Sequence, residues 1–179
     1  LRCASMRGRL PVVERLLAVM HGEAMQTQPE KRAQAGADVH ANYDHALRAA
    51  SMHGHLPVVE RLLAAGADVH ALGDDALCMA SWKGHLSVEE RLLAEGADVQ
   101  AGDNTSLGRS SMNHLPVVER LLAAGADVHA DNDIALRLAS MYGHLPVVER
   151  LLAAGADVHA DNDYALRWAS RYGHLPVVE

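Results

Sequence analysis

HLPVVERLLAAGADVHA, residues 144–160, also stands word for word at 55–71 and 114–130. Two altered copies read HLSVEERLLAEGADVQA at 85–101 and RLPVVERLL at 9–17, and a partial copy, HLPVVE, occupies 174–179. The stretches between complete copies are also alike, as in NDYALRWASRYG at 162–173. Gly54 and Gly84 stand 30 residues apart, as do Gly143 and Gly173. Self-similarity at a fixed period of this length marks a stacked repeat protein.

Val147, Val148, Leu151 and Leu152 form an i, i+1, i+4, i+5 stripe, which is an amphipathic helix. Leu166 and Ala169 lie three apart on one helical face, as do Leu47 and Ala50. Each unit therefore holds two short helices, and the chain is all-α. Asp133 or Asp163 is placed to cap the first helix, its carboxylate accepting from orphan N–H groups. Gly143 or Gly173 ends that helix in a left-handed conformation. Pro57, Pro116, Pro146 and Pro176 fall in the first turn of the second helix, where a missing N–H costs nothing. Gly66, Gly125 and Gly155 end it. The fourth unit is one residue short, and Asn113 precedes His114 where other units have Gly. Asn is the next-best residue for a left-handed cap, so Asn113 is expected to take that role.

Gly143-His144-Leu145, Val147-Val148, Leu151-Leu152 and Gly155-Ala156-Asp157-Val158 resemble the "GHLEVVKLLL…GADVN" stretch of the ankyrin repeat, and the match recurs through nearly the whole chain. The resemblance implies an ankyrin-repeat solenoid of stacked helix pairs, with about five to six repeats in a single domain over 1–179. The repeats fall at about 1–41, with an insertion at 19–34, then 42–71, 72–101, 102–130, 131–160 and a truncated 161–179. That makes about five helix pairs plus most of a sixth first helix. The usual ankyrin unit is about 33 residues. Here Asp133-Ile134-Ala135-Leu136-Arg137 stands where the family has a T-P-L-H turn. The unit resembles the shortened repeat of large DNA viruses and some intracellular microbes. Its missing residues fall in the hairpin finger, which implies stubby fingers.

One helix pair cannot bury its own apolar face, whereas stacked neighbours can. The core is Leu, Val and Ala, with no Phe. The net charge of −7 is spread evenly, because each unit carries its own Glu-Arg pair and Asp residues. An acidic rod argues against nucleic acid and anionic membranes as partners. No apolar run approaches a membrane span, and no secretion signal is visible. Cys3 and Cys78 occupy different positions in their units, so a reducing, intracellular setting is expected: cytoplasm, or host cytoplasm for a virus or intracellular microbe. Asn104-Thr105-Ser106 reads as a chance sequon. The chain begins at Leu1 inside a first helix and stops one turn into a second, with no polar capping unit at either end. It is therefore expected to be part of a longer array, and a monomer unless its uncapped ends stack.

Twelve histidines invite a metal reading. His55, His85, His114, His144 and His174 form one column, and His40, His70, His129 and His159 another. Neighbours in a column sit about one helix spacing apart, roughly 8–10 Å. Zinc needs ligands about 2 Å from one centre, so a column cannot converge on a metal. In the family the first column's His hydrogen-bonds within the turn between helices, which the resemblance extends to these residues. The repeated Asp68, Asp98, Asp127 and Asp157 fall in turns. No HExxH, P-loop, dinucleotide fingerprint or nucleophile elbow is present. No catalytic residue, metal or cofactor is expected.

The residues that break the repeat carry the information. One variable column is His45, Asp75, Thr105, Ile134 and Tyr164. A second is His53, Lys83, Tyr142 and Tyr172, with Met52, Trp82, Met112, Met141 and Arg171 beside it. A third is Arg48, Cys78, Gly108, Arg137 and Arg167. In ankyrin proteins, positions near the start of the first helix and just before the GHL turn face a concave groove where partners bind. By that resemblance the candidate contacts are His45, Arg48, His53, Asp75, Trp82, Lys83, Thr105, Ile134, Arg137, Tyr142, Tyr164, Arg167, Arg171 and Tyr172. Tyr, Trp and Arg are the residues from which binding hot spots are made. The insertion Val19 to Gln34 reads as a loop followed by a short helix with Pro29 in its first turn, ending at Gly36.

The resulting expectation is a non-enzymatic module that binds a protein of unidentified sequence along that groove. The alternative is a spacer or scaffold segment of a longer repeat protein, in which the variation is drift.

Overall fold

The computed structural model describes residues 2–6, 8, 10–22 and 38–179, with only the backbone described at 2, 3, 18–22 and 102–105. Among the described residues there are twelve helices and no strand. They are α1 (Arg2–Met6), α2 (Leu10–Gly22), α3 (Ala41–Met52), α4 (Leu56–Ala64), α5 (Ala71–Lys83), α6 (Leu86–Ala94), α7 (Ala101–Ser110), α8 (Leu115–Ala123), α9 (Ala130–Tyr142), α10 (Leu145–Ala153), α11 (Ala160–Tyr172) and α12 (Leu175–Val178). Odd-numbered helices pack on odd and even on even, giving a two-layer stack of helix pairs. The last pair is completed by α12, a single turn. Residues 19–22 continue α2 instead of opening a loop. The rest of the insertion, with the helix expected after Pro29, lies outside the described residues.

A leucine ladder runs through the stack. Leu47, Leu77, Leu107 and Leu136 come from first helices, and Leu62, Leu92, Leu121 and Leu151 from second helices; all are buried. Burying one such side chain contributes about 1.5–3 kcal/mol. Part of that burial is within the unit and part against its neighbours, so the units hold one another up. Pro57, Pro116, Pro146 and Pro176 sit in the first turn of their helices, as their missing N–H requires. Gly84, Gly143 and Gly173 close the first helices with φ near 74°.

Asn113 does not take the left-handed role expected of it and has no positive φ. In the other units the His N–H bonds the carbonyl five residues back, as His85 does to Ala80 and His144 to Ala139. That loop needs a left-handed residue. In the shortened fourth unit His114 N–H bonds Ser110 O, four back, at 2.9 Å. The tighter closure is made from right-handed residues, and Ser111 at its start has φ −62°.

The stubby finger has a definite form. Three successive residues in the opening turn of α3, α5, α9 and α11 are left-handed: Asn42-Tyr43-Asp44, Leu72-Gly73-Asp74, Asp131-Asn132-Asp133 and Asp161-Asn162-Asp163. Such runs are costly for L-residues, and Asn, Asp and Gly bear the cost best. The Asp expected to cap the helix is not its N-cap: His129 stands there in α9 and His159 in α11, and the Asp is the last of the three left-handed residues inside the helix. Asp44 accepts from Asp68 N–H at 2.9 Å, Asp74 from Asp98 N–H at 3.0 Å, and Asp133 from Asp157 N–H at 2.8 Å. It ties the start of each unit to that unit's closing turn.

Candidate partner-binding face

The two histidine columns have separate structural duties. His55 Nε2 donates to Met6 O at 3.1 Å, His85 Nε2 to Met52 O at 3.2 Å, and His174 Nε2 to Met141 O at 3.0 Å. The expected bond within the turn is thus a bond between units. The ring lies on the preceding unit's Gly: a Cβ at Gly54 would come within 2.6 Å of His85. Gly143 and His174 make the same contact. The Gly is therefore required twice, by its φ and by its neighbour's ring. Burial lowers the pKa of His85 and His144, with neighbouring imidazoles adding to it, so both rings stay neutral at pH 7. In the second column His40, His70 and His129 donate through Nδ1 to Asp44, Asp74 and Asp133 at 3.1–3.2 Å. His159 pairs with Asp163 at 2.7 Å, and that hydrogen bond raises its pKa.

Several candidate contact residues turn out to hold the array together. Arg48 donates to the carbonyls of Tyr43 (3.2 Å) and Asn42 (3.3 Å). It also pairs with Asp75 of the next unit at 2.9 Å. Arg137 repeats this on Asp131 O (3.1 Å), Asn132 O (3.4 Å) and Asp161 (3.2 Å), and lies over the Tyr164 ring at 4.6 Å. The left-handed turns point carbonyls where no helix ladder reaches them, and the guanidinium satisfies them. In the third unit Cys78 takes this position, bonds Ser106 Oγ at 3.2 Å, and is kept protonated by burial. There a Gly, Gly73, occupies one of the three left-handed positions. Arg167 is exposed, and His45 and Ile134 are half-buried. The side chain of Thr105 lies outside the described residues.

The column before the GHL turn is the one that faces outward. His53 and Lys83 are exposed, Tyr142 is 48% and Tyr172 52% exposed. Lys83 Nζ sits 3.7 Å over the half-buried Trp82 ring. Tyr142, Tyr172, Met141 and His174 line a shallow cleft of about 440 Å³. Beside it Tyr164, Trp168 and Tyr172 form a ladder along α11, with ring centroids 5.3 and 5.5 Å apart and Arg171 5.0 Å from Trp168. Among the described residues no three His, Cys, Asp or Glu side chains converge as a metal site would require. No helix among them is long and apolar enough to cross a membrane.

One residue was missed by reading the sequence for surface variation. Glu89 stands in the second-helix column that holds Val59, Val118 and Val148 elsewhere, and it is 0% exposed. Its carboxyl is pushed up to about 8, mainly by burial, with Glu90 adding and Arg120 opposing. Ser81 offsets a little of this, yet among the described residues neither Ser81 Oγ nor either Glu89 oxygen makes a well-formed hydrogen bond. The signal was a single letter in the altered copy at 85–101, E where the others have V.

A family model for ankyrin repeats (3 copies) matches residues 1–103 and 108–179. The chain therefore belongs to the ankyrin repeat family. Ankyrin repeats are in general protein–protein interaction modules, and the family is typically non-enzymatic. No curated protein sequence matches the chain.

Proposed function

We propose that this chain is a protein-binding module whose contact face is the row His53, Trp82, Lys83, Tyr142, Arg171 and Tyr172 along the groove of first helices and short turns. The observation that carries this is the pair Tyr142 and Tyr172. Both leave about half their surface in water and flank one cleft, in a protein whose core needs no aromatic residue. Large amphipathic rings on a stiff frame offer contact area at low ordering cost. Tyr142 and Tyr172 lie outside the buried core, so their positions tolerate change. Arg48, Asp75 and Arg137 belong to the frame, so we assign them to support and not to contact. The partner is a protein, and its identity is open to capture experiments.

The test is the double variant Tyr142→Ala/Tyr172→Ala. It should fold with unchanged helicity and lose capture of partner from lysate of the native cell. Undiminished capture would remove the groove from consideration. The spacer reading rests on a specific observation: three residues of the variable columns, Arg48, Asp75 and Arg137, bond to neighbouring structure. Under that reading the double variant changes nothing measurable.

A further inference from the structure

The strongest unassigned feature is where Glu89 lies. The buried apolar residues divide into two clusters. One runs from Ala4 to Ala97 and the other from Val99 to Ala165, and the half-buried Leu93 borders both. The boundary falls at the end of the third unit, where α6 faces the fourth. Val59, Val118 and Val148 fill the same column elsewhere with apolar surface, whereas α6 puts a carboxyl there. The neighbouring fourth unit is also the short one, with its altered closure at His114.

α6 packs against α5, α4 and α8. α5 supplies Ser81 and α8 supplies Arg120, which is half-buried; α6 itself supplies Glu90, which is exposed. The charged residues of α4 are Glu60, exposed, and Arg61, half-buried; the charges that act on Glu89 are Arg120 and Glu90. A protonated carboxyl here is a tolerable polar group. A carboxylate is an ion in a dry contact that holds two stacks together.

We propose that the junction between the third and fourth units is a pH-operated seam, at which loss of the Glu89 proton loosens one half of the array from the other. The groove row crosses this seam between Lys83 and Tyr142, so a loosened seam lets the two halves of the contact face move relative to each other. The sign follows from linkage. The folded carboxyl holds its proton up to about pH 8, whereas the reference value for Glu is 4.5. Between these values the folded state binds a proton that the unfolded state lacks. Stability is therefore full at the acid end and falls as pH rises through this window. Within it the folded-to-unfolded ratio drops by up to about tenfold per pH unit.

The experiment compares the wild-type chain with Glu89→Val and Glu89→Gln in urea denaturation at pH 5, 6, 7, 8 and 9, together with hydrogen exchange along the chain. Val is the residue the other units use, so Glu89→Val should fold. The histidines are common to all three proteins, so the difference curves isolate the carboxyl. The wild type should lose stability relative to Glu89→Val as pH rises, with α6 to α8 losing amide protection before α3 to α5 or α9 to α11. Glu89→Gln should be flat against Glu89→Val and less stable than it. Parallel pH curves for wild type and Glu89→Val would overturn the proposal. So would a pH-dependent loss of protection spread evenly along the array.

Discussion

The unit at 131–160 and the stretch from 72 to 130 are written in nearly the same words, but they are joined differently. In the first, Val148 fills the dry column, Gly143 closes α9 left-handed under the His174 ring, and Arg137 clamps the turn to the next unit. In the second, Glu89 replaces Val, Asn113 replaces Gly, and Cys78 and Gly108 replace Arg. The leucine ladder passes through both without a gap. The comparison separates what a repeat needs in order to stack from what tightens the stack. Leucine at the ladder suffices for the former; the glycine seat, the arginine clamp and the valine column supply the latter.

The largest expected effect tests whether the ladder is shared equally. Leu121→Ala in the altered stretch and Leu151→Ala in the regular unit should each cost about 2–5 kcal/mol in denaturant unfolding. A loss under about 1 kcal/mol at Leu121 would break the comparison, because the fourth unit would then not lean on its leucine. Next come the closures. Gly143→Ala meets both a left-handed φ and the His174 ring, so it should lose more than the roughly 1–2 kcal/mol of the backbone alone. Gly125→Ala, with open space at its Cβ, should lose only the backbone part. Asn113→Gly should give no gain, because its φ is not left-handed. A clear stabilisation there would restore the cap that the sequence led us to expect. The smallest effects separate clamp from surface. Arg137→Ala should cost about 1 kcal/mol through its turn carbonyls. Arg167→Ala, exposed in the last full first helix, should stay within about 0.5 kcal/mol. Equal losses would erase the distinction between frame and face.

The helices, their order and their prolines were legible because a repeat states its pattern several times, and the 3.6-residue period is unambiguous in Val147, Val148, Leu151 and Leu152. Bonds between residues far apart in the chain were not legible. His55 and Asp44 occupy the expected places, but their partners, Met6 O and Asp68 N–H, are set by how units stack and by a left-handed turn that no local signal announces. The same holds for the variable columns. Alignment found the positions that differ, yet only geometry sorts Arg48, bonded to Asp75, from Tyr172, open on a cleft. Glu89 escaped notice for the opposite reason. It lies in a column expected to be constant, where one exception reads as decay of a copy.

The central claim is that a carboxyl held neutral in the core at α6 makes the junction of the third and fourth units sensitive to pH. Direct titration of the Glu89 side-chain carbonyl by NMR, in the intact chain, tests it most plainly. The account predicts a midpoint near 8, accompanied by shifts at Ser81 beside it and at Arg120 across the seam. A midpoint near the ordinary 4.5 would show the carboxyl hydrated and would contradict a pH-operated junction at α6.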